Sequence, residues 1–207
     1  MPKWPPPWIE ITDPDVLAAV ARVPRHRFVS PDLQEQAYED HPLPIGFGQT
    51  ISQPFVVALM TQLLTLAPTA RVLEIGTGCG YQTAILAELA RMVYTVEVIP
   101  ELAMEAEARL AALGYTNIHF RLGNGWEGWP EEAPFDGIVV TAAPADWPPS
   151  LSAQLAEGGN LVIPVGPAGW DQELWQATKV EGALIKRRVG PVRFVPLVSG
   201  ASDRSYP

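Results

Sequence analysis

The residues with the clearest chemical potential lie in VLEIGTGCGY, where Gly76, Gly78 and Gly80 alternate directly after a short apolar run. Glycines at the end of a buried strand let the chain turn sharply and bring its backbone close to a ligand. In an open α/β sheet the carboxyl ends of the strands are also where ligands bind. Glu97 closes the next apolar run about 20 positions after the first glycine, where a carboxylate can accept both hydroxyl protons of a ribose. Glu74 precedes the turn and favours a nearby cation, such as the amino group of an amino acid. The dinucleotide fingerprint needs a glycine where Tyr81 stands, so the turn lacks a pyrophosphate cradle. Without a ligand, the same glycines would serve only as a tight strand-to-helix turn.

Ribose and ammonium without phosphate describe S-adenosyl-L-methionine, and E-x-G-x-G-x-G resembles the first motif of Rossmann-like methyltransferases. That resemblance places Asn124 and Gly125, in LGNGWEGW, at the adenine. Related sequences usually carry Asp where Asn124 stands, and Asn keeps one acceptor oxygen. Trp126 and Trp129 read as packing rather than chemistry. Cys79 has no partner to activate it and reads as a small residue in a tight loop.

Such residues need a scaffold, and the rhythm of the chain supplies one. DPDVLAAVARV reads as a short helix with Asp13 as its cap, and SPDLQEQAY as a second helical piece. HPLPIGFGQTISQPFV is rich in proline and glycine and reads as an ordered polar loop before an apolar run. Val56, Leu59, Met60, Leu63 and Leu64 then recur at helical spacing. RVLEI, VYTVEV, NIHFRL, FDGIVVTA and GNLVIPV read as strands. YQTAILAELAR, PELAMEAEARLAAL and PPSLSAQLAE read as helices between them. The alternation predicts an α/β fold, a mostly parallel sheet with helices on both faces. ELWQATKVEG, ALIKRRVG and VRFVPLV leave no room for crossover helices and are expected as antiparallel edge strands. The proline-rich start is expected to be extended, folding back through Trp4 and Trp8. At 207 residues the chain fits one domain. We divide it into a helical and loop cap (1–53), a cofactor-binding core (54–166) and C-terminal edge strands with a tail (167–207).

Composition narrows the function. A formal net charge of −9 gives no electrostatic footprint for nucleic acid or an anionic membrane. The one dense basic run, Lys186 to Arg188, reads as a solvated strand face. The strand that ends VVTAAPADWPP has no Asn-Pro-Pro-Tyr type motif of the kind that methylates base nitrogens. His26, His41 and His119 are scattered, so neither a metal-ligand spacing nor a Ser-His-Asp relay can be read. With one cysteine, no apolar signal segment and no apolar run of spanning length, a cytoplasmic protein is expected. No helix shows a spare apolar face, so a monomer is expected.

The loop LPIGFGQTISQP resembles the signature loop of the protein-L-isoaspartate (D-aspartate) O-methyltransferases. The likeness extends through RVPRHRFV, VLEIGTGCGYQTAILAEL, GWEGW, FDGIVVTAAP, EGGNLVIPVG and VRFVPL, from Ile11 to Val198. It implies methyl transfer from S-adenosyl-L-methionine, leaving S-adenosyl-L-homocysteine. The acceptor would be the free α-carboxylate of L-isoaspartyl residues in damaged proteins and peptides. By the same resemblance Ser52 is the active-site residue, and Thr50, Ile51, Ser52 and Val195 contact the substrate. Gln49, Thr50, Ser52, Glu74, Gly76, Thr77, Gly78, Glu97, Asn124, Gly125 and Thr141 would contact the cofactor. On spacing alone Ser52 could equally cap the helix that begins near Pro54. An extended peptide could pair with the edge segment VRFVPL, and Arg193 could attract acidic peptides or simply face solvent. The alternative is a methyltransferase of the same fold acting on RNA or a small molecule.

Overall fold

The computed structural model describes residues 10–167 and 172–200. The proline-rich start, expected to be extended, lies outside them. Among the described residues five α-helices occur in chain order: α1 (Pro14–Arg22), α2 (Pro54–Leu64), α3 (Tyr81–Leu89), α4 (Pro100–Ala112) and α5 (Pro149–Gln154). The strands are β1 (Leu43–Gly46), β2 (Gln49–Ile51), β3 (Arg71–Ile75), β4 (Met92–Glu97), β5 (Ile118–Leu122), β6 (Phe135–Val140), β7 (Leu155–Val165), β8 (Gln172–Val180) and β9 (Ala183–Val192). β3 to β9 form one sheet in the order β5-β4-β3-β6-β7-β8-β9. It is parallel through β7, and β8 and β9 join antiparallel at one edge. The α/β reading therefore holds.

The two faces of the sheet follow from the parity of its strands. Val72, Val93, Val139 and Val162 pack against α2 and α3 on one face. Leu73, Ile75, Val96, Ile138 and Val140 pack with Leu151 of α5 on the other. Each such fully buried aliphatic side chain contributes about 1.5–3 kcal/mol. α1 starts where expected: Asp13 accepts from Asp15 N at 2.9 Å and Val16 N at 3.2 Å, a cap worth about 1 kcal/mol. Arg25 ties the segment after α1 to the core. Its Nε donates to Ala37 O at 2.6 Å, and its guanidinium lies 4.8 Å from the Tyr81 ring centre.

Three local expectations change, and the second helical piece is found as a tighter turn of helix. The supposed loop 41–52 is a hairpin: Leu43 pairs with Ile51 and Pro44 with Thr50, and Phe47 (φ 54°) and Gly48 (φ 71°) form its turn. Positive φ at both central residues gives the twist that a tight hairpin needs. SPDLQEQAY forms a 3₁₀ helix over Pro31–Gln36. α5 ends at Gln154, because Leu155 already enters β7. VRFVPLV is not an edge strand. From Arg193 onward it leaves β9 and crosses to the end of β6, where Ala143 N donates to Val195 O at 2.8 Å and Leu197 N donates to Ala143 O at 2.9 Å.

Candidate active site

A cavity of about 1050 Å³ opens at the carboxyl ends of β3, β4 and β6. Its walls are the β1–β2 hairpin from Phe47 to Ser52, the glycine turn, Glu97 to Ile99, Gly125, Thr141 and the returning segment 191–198. Drug-sized ligands occupy clefts of about 300–1,000 Å³, so the space admits a nucleoside-amino acid beside part of a peptide.

The glycine turn is built for closeness. Thr141 Oγ1 donates to Gly76 O at 2.7 Å and lies 3.0 Å from Ile75 O, lacing β6 to the turn. A Cβ on Gly76 would lie 2.3 Å from that same oxygen, and φ there is +96°, so only glycine fits. Glu97 holds the opposite side. Its Oε2 accepts from Gly78 N at 2.8 Å, and its Oε1 from Val98 N at 2.9 Å and Ile99 N at 3.0 Å. A carboxylate so fixed by backbone donors is a rigid acceptor at the edge of the cavity.

Gln49, Thr50, Ile51, Ser52, Gly76, Thr77, Gly78, Glu97, Gly125, Thr141 and Val195 all line this cavity. Two others do not. Glu74 is fully buried among hydroxyls, because strand parity sends it to the α3 side of the sheet. Asn124 turns its amide along its own loop: Oδ1 accepts from Trp126 N at 3.0 Å and Nδ2 donates to Glu127 Oε1 at 3.1 Å. Neither is among the cavity-lining residues, so we withdraw a direct contact from Glu74 to an ammonium and from the Asn124 side chain to adenine.

Ser52 does not cap α2. Gln53 stands at the cap position, and Asp40 Oδ1 accepts from Phe55 N at 2.9 Å instead. Ser52 lines the cavity, and its hydroxyl has no hydrogen-bond partner among the described residues. The titratable groups in the wall are Cys79, Tyr81, Glu97 and Arg193. Burial pushes the Cys79 thiol up to about 11 and raises Tyr81, so both stay protonated at neutral pH. The histidines lie elsewhere: His41 meets Glu39, His26 meets Tyr38 and His119 stacks on Tyr94.

Residues that sequence reasoning missed hold the lid-like C-terminal segment. Gln172, buried, accepts from Phe194 N at 2.6 Å and donates to Phe194 O at 3.0 Å. Trp126 Nε1 donates to Leu197 O at 3.2 Å. Phe47, Val98, Ile99 and Leu102 also line the cavity. A lone glutamine at a strand start carries no signal, but the loop after Glu97 could have been flagged from its place at a strand end.

The profile of the family described as protein-L-isoaspartate(D-aspartate) O-methyltransferase matches residues 9–202. The chain belongs to that family. It is 58% identical over 187 residues to the protein-L-isoaspartate O-methyltransferase of Picosynechococcus, covering 90% of this chain and 83% of the relative. It is 56% identical to that of Gloeobacter violaceus, over 88% and 89% of the two chains. A solved structure described as this enzyme from Plasmodium falciparum, in complex with S-adenosyl-L-homocysteine, superposes with TM-score 0.80. Identity there is 29%, with 92% of this chain and 93% of that one covered. Another solved family structure gives TM-score 0.81 at 28% identity. This chain covers 63% of that longer one, and 91% of this chain is matched.

Proposed function

We propose that this chain repairs damaged proteins by methylating the free α-carboxylate of L-isoaspartyl residues. S-adenosyl-L-methionine supplies a methyl group on a positively charged sulfur and leaves as S-adenosyl-L-homocysteine. The cavity suits that cofactor: a backbone-fixed carboxylate at Glu97, a turn only glycine can make, and no phosphate cradle.

The observation that carries the reading is the absence of an available base in the cavity wall among the described residues. Cys79 and Tyr81 keep their protons, Glu97 is engaged by three backbone N–H groups, and Arg193 is a cation. An alcohol or amine acceptor would need a base to take up its proton. A carboxylic acid with a pKa of about 4 arrives already ionised and needs only to be held in place. Ser52 does the holding. Its unpaired hydroxyl donates to the incoming carboxylate and orients it, since a serine without a base is a poor nucleophile. Thr50 adds a second hydroxyl on the same strand end. The apolar wall from Val56, Val57 and Met60 excludes water, which would otherwise solvate the reacting charges.

Ile51 and Val195 bracket the peptide main chain, with Val195 held on the segment that Ala143 anchors. Residues 1–53 act as the cap, 54–166 as the cofactor core and 167–207 as the substrate-side edge. Neither nucleic acid nor a membrane is a partner, and the enzyme works as a cytoplasmic monomer. Among the described residues no helix is long and apolar enough to cross a membrane and no group of acids, His or Cys is placed to hold a metal.

The test offers labelled S-adenosylmethionine with an isoaspartyl peptide, its aspartyl twin and bulk tRNA. Base-labile label on the first alone is expected; label on tRNA instead would overturn the reading. Ser52→Ala should slow transfer far more than it weakens cofactor binding, and equal rates in the two proteins would remove Ser52 from the mechanism.

A further inference from the structure

Glu74 has a different use from the one its motif suggested. Its Oε2 accepts from Thr83 Oγ1 at 2.5 Å and Thr95 Oγ1 at 2.7 Å, and Thr95 Oγ1 lies 2.6 Å from Thr77 Oγ1. Thr77 is in the cavity wall. An unbroken run of oxygens therefore joins a carboxyl group in the core to a residue of the cavity wall. Glu74 and Thr95 are direct partners in the parallel β3–β4 ladder, which sends both side chains to the same face. Glu74 Oε1 has no partner among the described residues.

We propose that Glu74, Thr95 and Thr77 form a hydroxyl relay that sets whether Thr77 donates or accepts in the cavity, making Glu74 a positioning residue for the cofactor. This rests on the reading that the cavity binds S-adenosylmethionine. The reasoning is a proton count. Each threonine hydroxyl has one proton to give. With Glu74 ionised, Thr95 donates to Glu74, Thr77 must donate to Thr95, and Thr77 shows the cavity only lone pairs. With a proton on Glu74 Oε2, Glu74 donates to Thr95, Thr95 donates to Thr77, and the Thr77 proton is released toward the cavity. A donor there suits the carboxylate of the cofactor's amino-acid end.

The surroundings select the second state at neutral pH. An unpaired charge so deep in the core is costly. Burial, reinforced by Glu97, pushes the Glu74 carboxyl up to about 8 against the pull of its two threonine hydrogen bonds. Its ladder neighbour on β6 is Val139, and α2 carries no charged residue. The one charge on α3, Glu88, is held by Arg22 and Tyr115.

S-adenosyl-L-homocysteine binding, measured calorimetrically from pH 6.5 to 9.5, tests the relay. The proteins are the parent, Glu74→Gln, Thr95→Val and Thr95→Ser, with circular dichroism confirming the fold at each pH. Glu74→Gln keeps an amide donor at every pH, and the ligand's own titration is common to all four. Relative to Glu74→Gln, the parent should lose roughly 10- to 150-fold in affinity as pH passes 8, the worth of one hydrogen bond to a charged group. Thr95→Val removes the acceptor that holds the Thr77 proton, so it should bind without the parent's fall above pH 8, and Thr95→Ser should restore the parent's curve. Superimposable curves for the parent and Glu74→Gln, or a fall above pH 8 in Thr95→Val equal to the parent's, would overturn the relay and leave the cofactor reading intact. If Glu74→Gln does not fold, the two Thr95 variants decide. No binding to the folded parent at any pH would overturn both.

Discussion

Replacing Glu97 by Gln changes the cofactor wall without changing its shape. The native carboxylate accepts three backbone N–H groups, from Gly78 at 2.8 Å, Val98 at 2.9 Å and Ile99 at 3.0 Å. A carboxylate has about four acceptor positions, so roughly one remains for a ribose hydroxyl, and a second hydroxyl must share the oxygen that serves Gly78. In Glu97→Gln the amide oxygen can keep Val98 and Ile99, which turns the NH₂ toward the Gly78 N–H, donor against donor. The ribose then meets a neutral donor where a charged acceptor stood. A hydrogen bond to a charged group is worth about 1.5–3 kcal/mol. At about 1.4 kcal/mol per decade, affinity for S-adenosyl-L-homocysteine should fall roughly 10- to 150-fold. Isothermal titration at fixed pH measures the loss, and a melting curve confirms the variant is folded. A folded Glu97→Gln protein that binds within twofold of the parent would refute the ribose assignment.

Three further outcomes follow from buried groups. A Cβ on Gly125 would lie 2.5 Å from Ile75 Cγ2 and 3.2 Å from Leu197 Cδ1, both in the cavity wall, so Gly125→Ala should overpack it. The expected cost is about 1–3 kcal/mol, read as a lower melting temperature together with weaker cofactor binding; a parent-like melt would contradict the packing. The Cys79 thiol, pushed up to about 11, should resist iodoacetamide at pH 8 in the native protein and react once denatured. Rapid native labelling seen by mass spectrometry would count against its burial. Glu74 has a folded pKa raised from 4.5 to about 8, so its favourable contribution is whole below 4.5, declines as pH rises and is gone above 8. Glu74→Gln should therefore flatten the fall in melting temperature between pH 5 and 8, and an equal slope in both proteins would refute the assignment.

The parallel strands and the glycine turn were legible because apolar runs and punctuating glycines are local signals. What failed was pairing across distance. Prolines and glycines in 41–52 read as a loop, yet the pattern conceals a hairpin whose turn places Phe47 as well as Gly48 at positive φ. VRFVPLV alternates like a strand, but Gln172 and Ala143 capture it before it can pair along an edge. Glu74 shows the same limit. Only the parity of β3, which puts Ile75 at the cavity and Glu74 under α3, tells a ligand-facing acid from a buried one, and the E-x-G-x-G-x-G pattern looks alike in either case. Asn124 occupies its motif position and nevertheless spends its amide on Trp126 and Glu127.

The same physics explains why this cavity can be so poor in reactive groups. Burial raises the thiol of Cys79 and the phenol of Tyr81, so the wall offers neutral dipoles rather than bases. A substrate needing deprotonation would find no acceptor for its proton among the described wall residues. On the proposed reading an anionic substrate would meet the hydroxyl of Ser52, a wall of aliphatic carbon and the guanidinium of Arg193, all of which line the cavity. The hydroxyl and the guanidinium would offset part of the cost of bringing a carboxylate out of water, while the aliphatic wall leaves the attacking oxygen unsolvated and reactive. On the proposed reading, specificity for an acid over an alcohol would arise from what the wall withholds, and adding a base should broaden it. Ser52→His, placed beside the same cavity, would be the direct way to supply one.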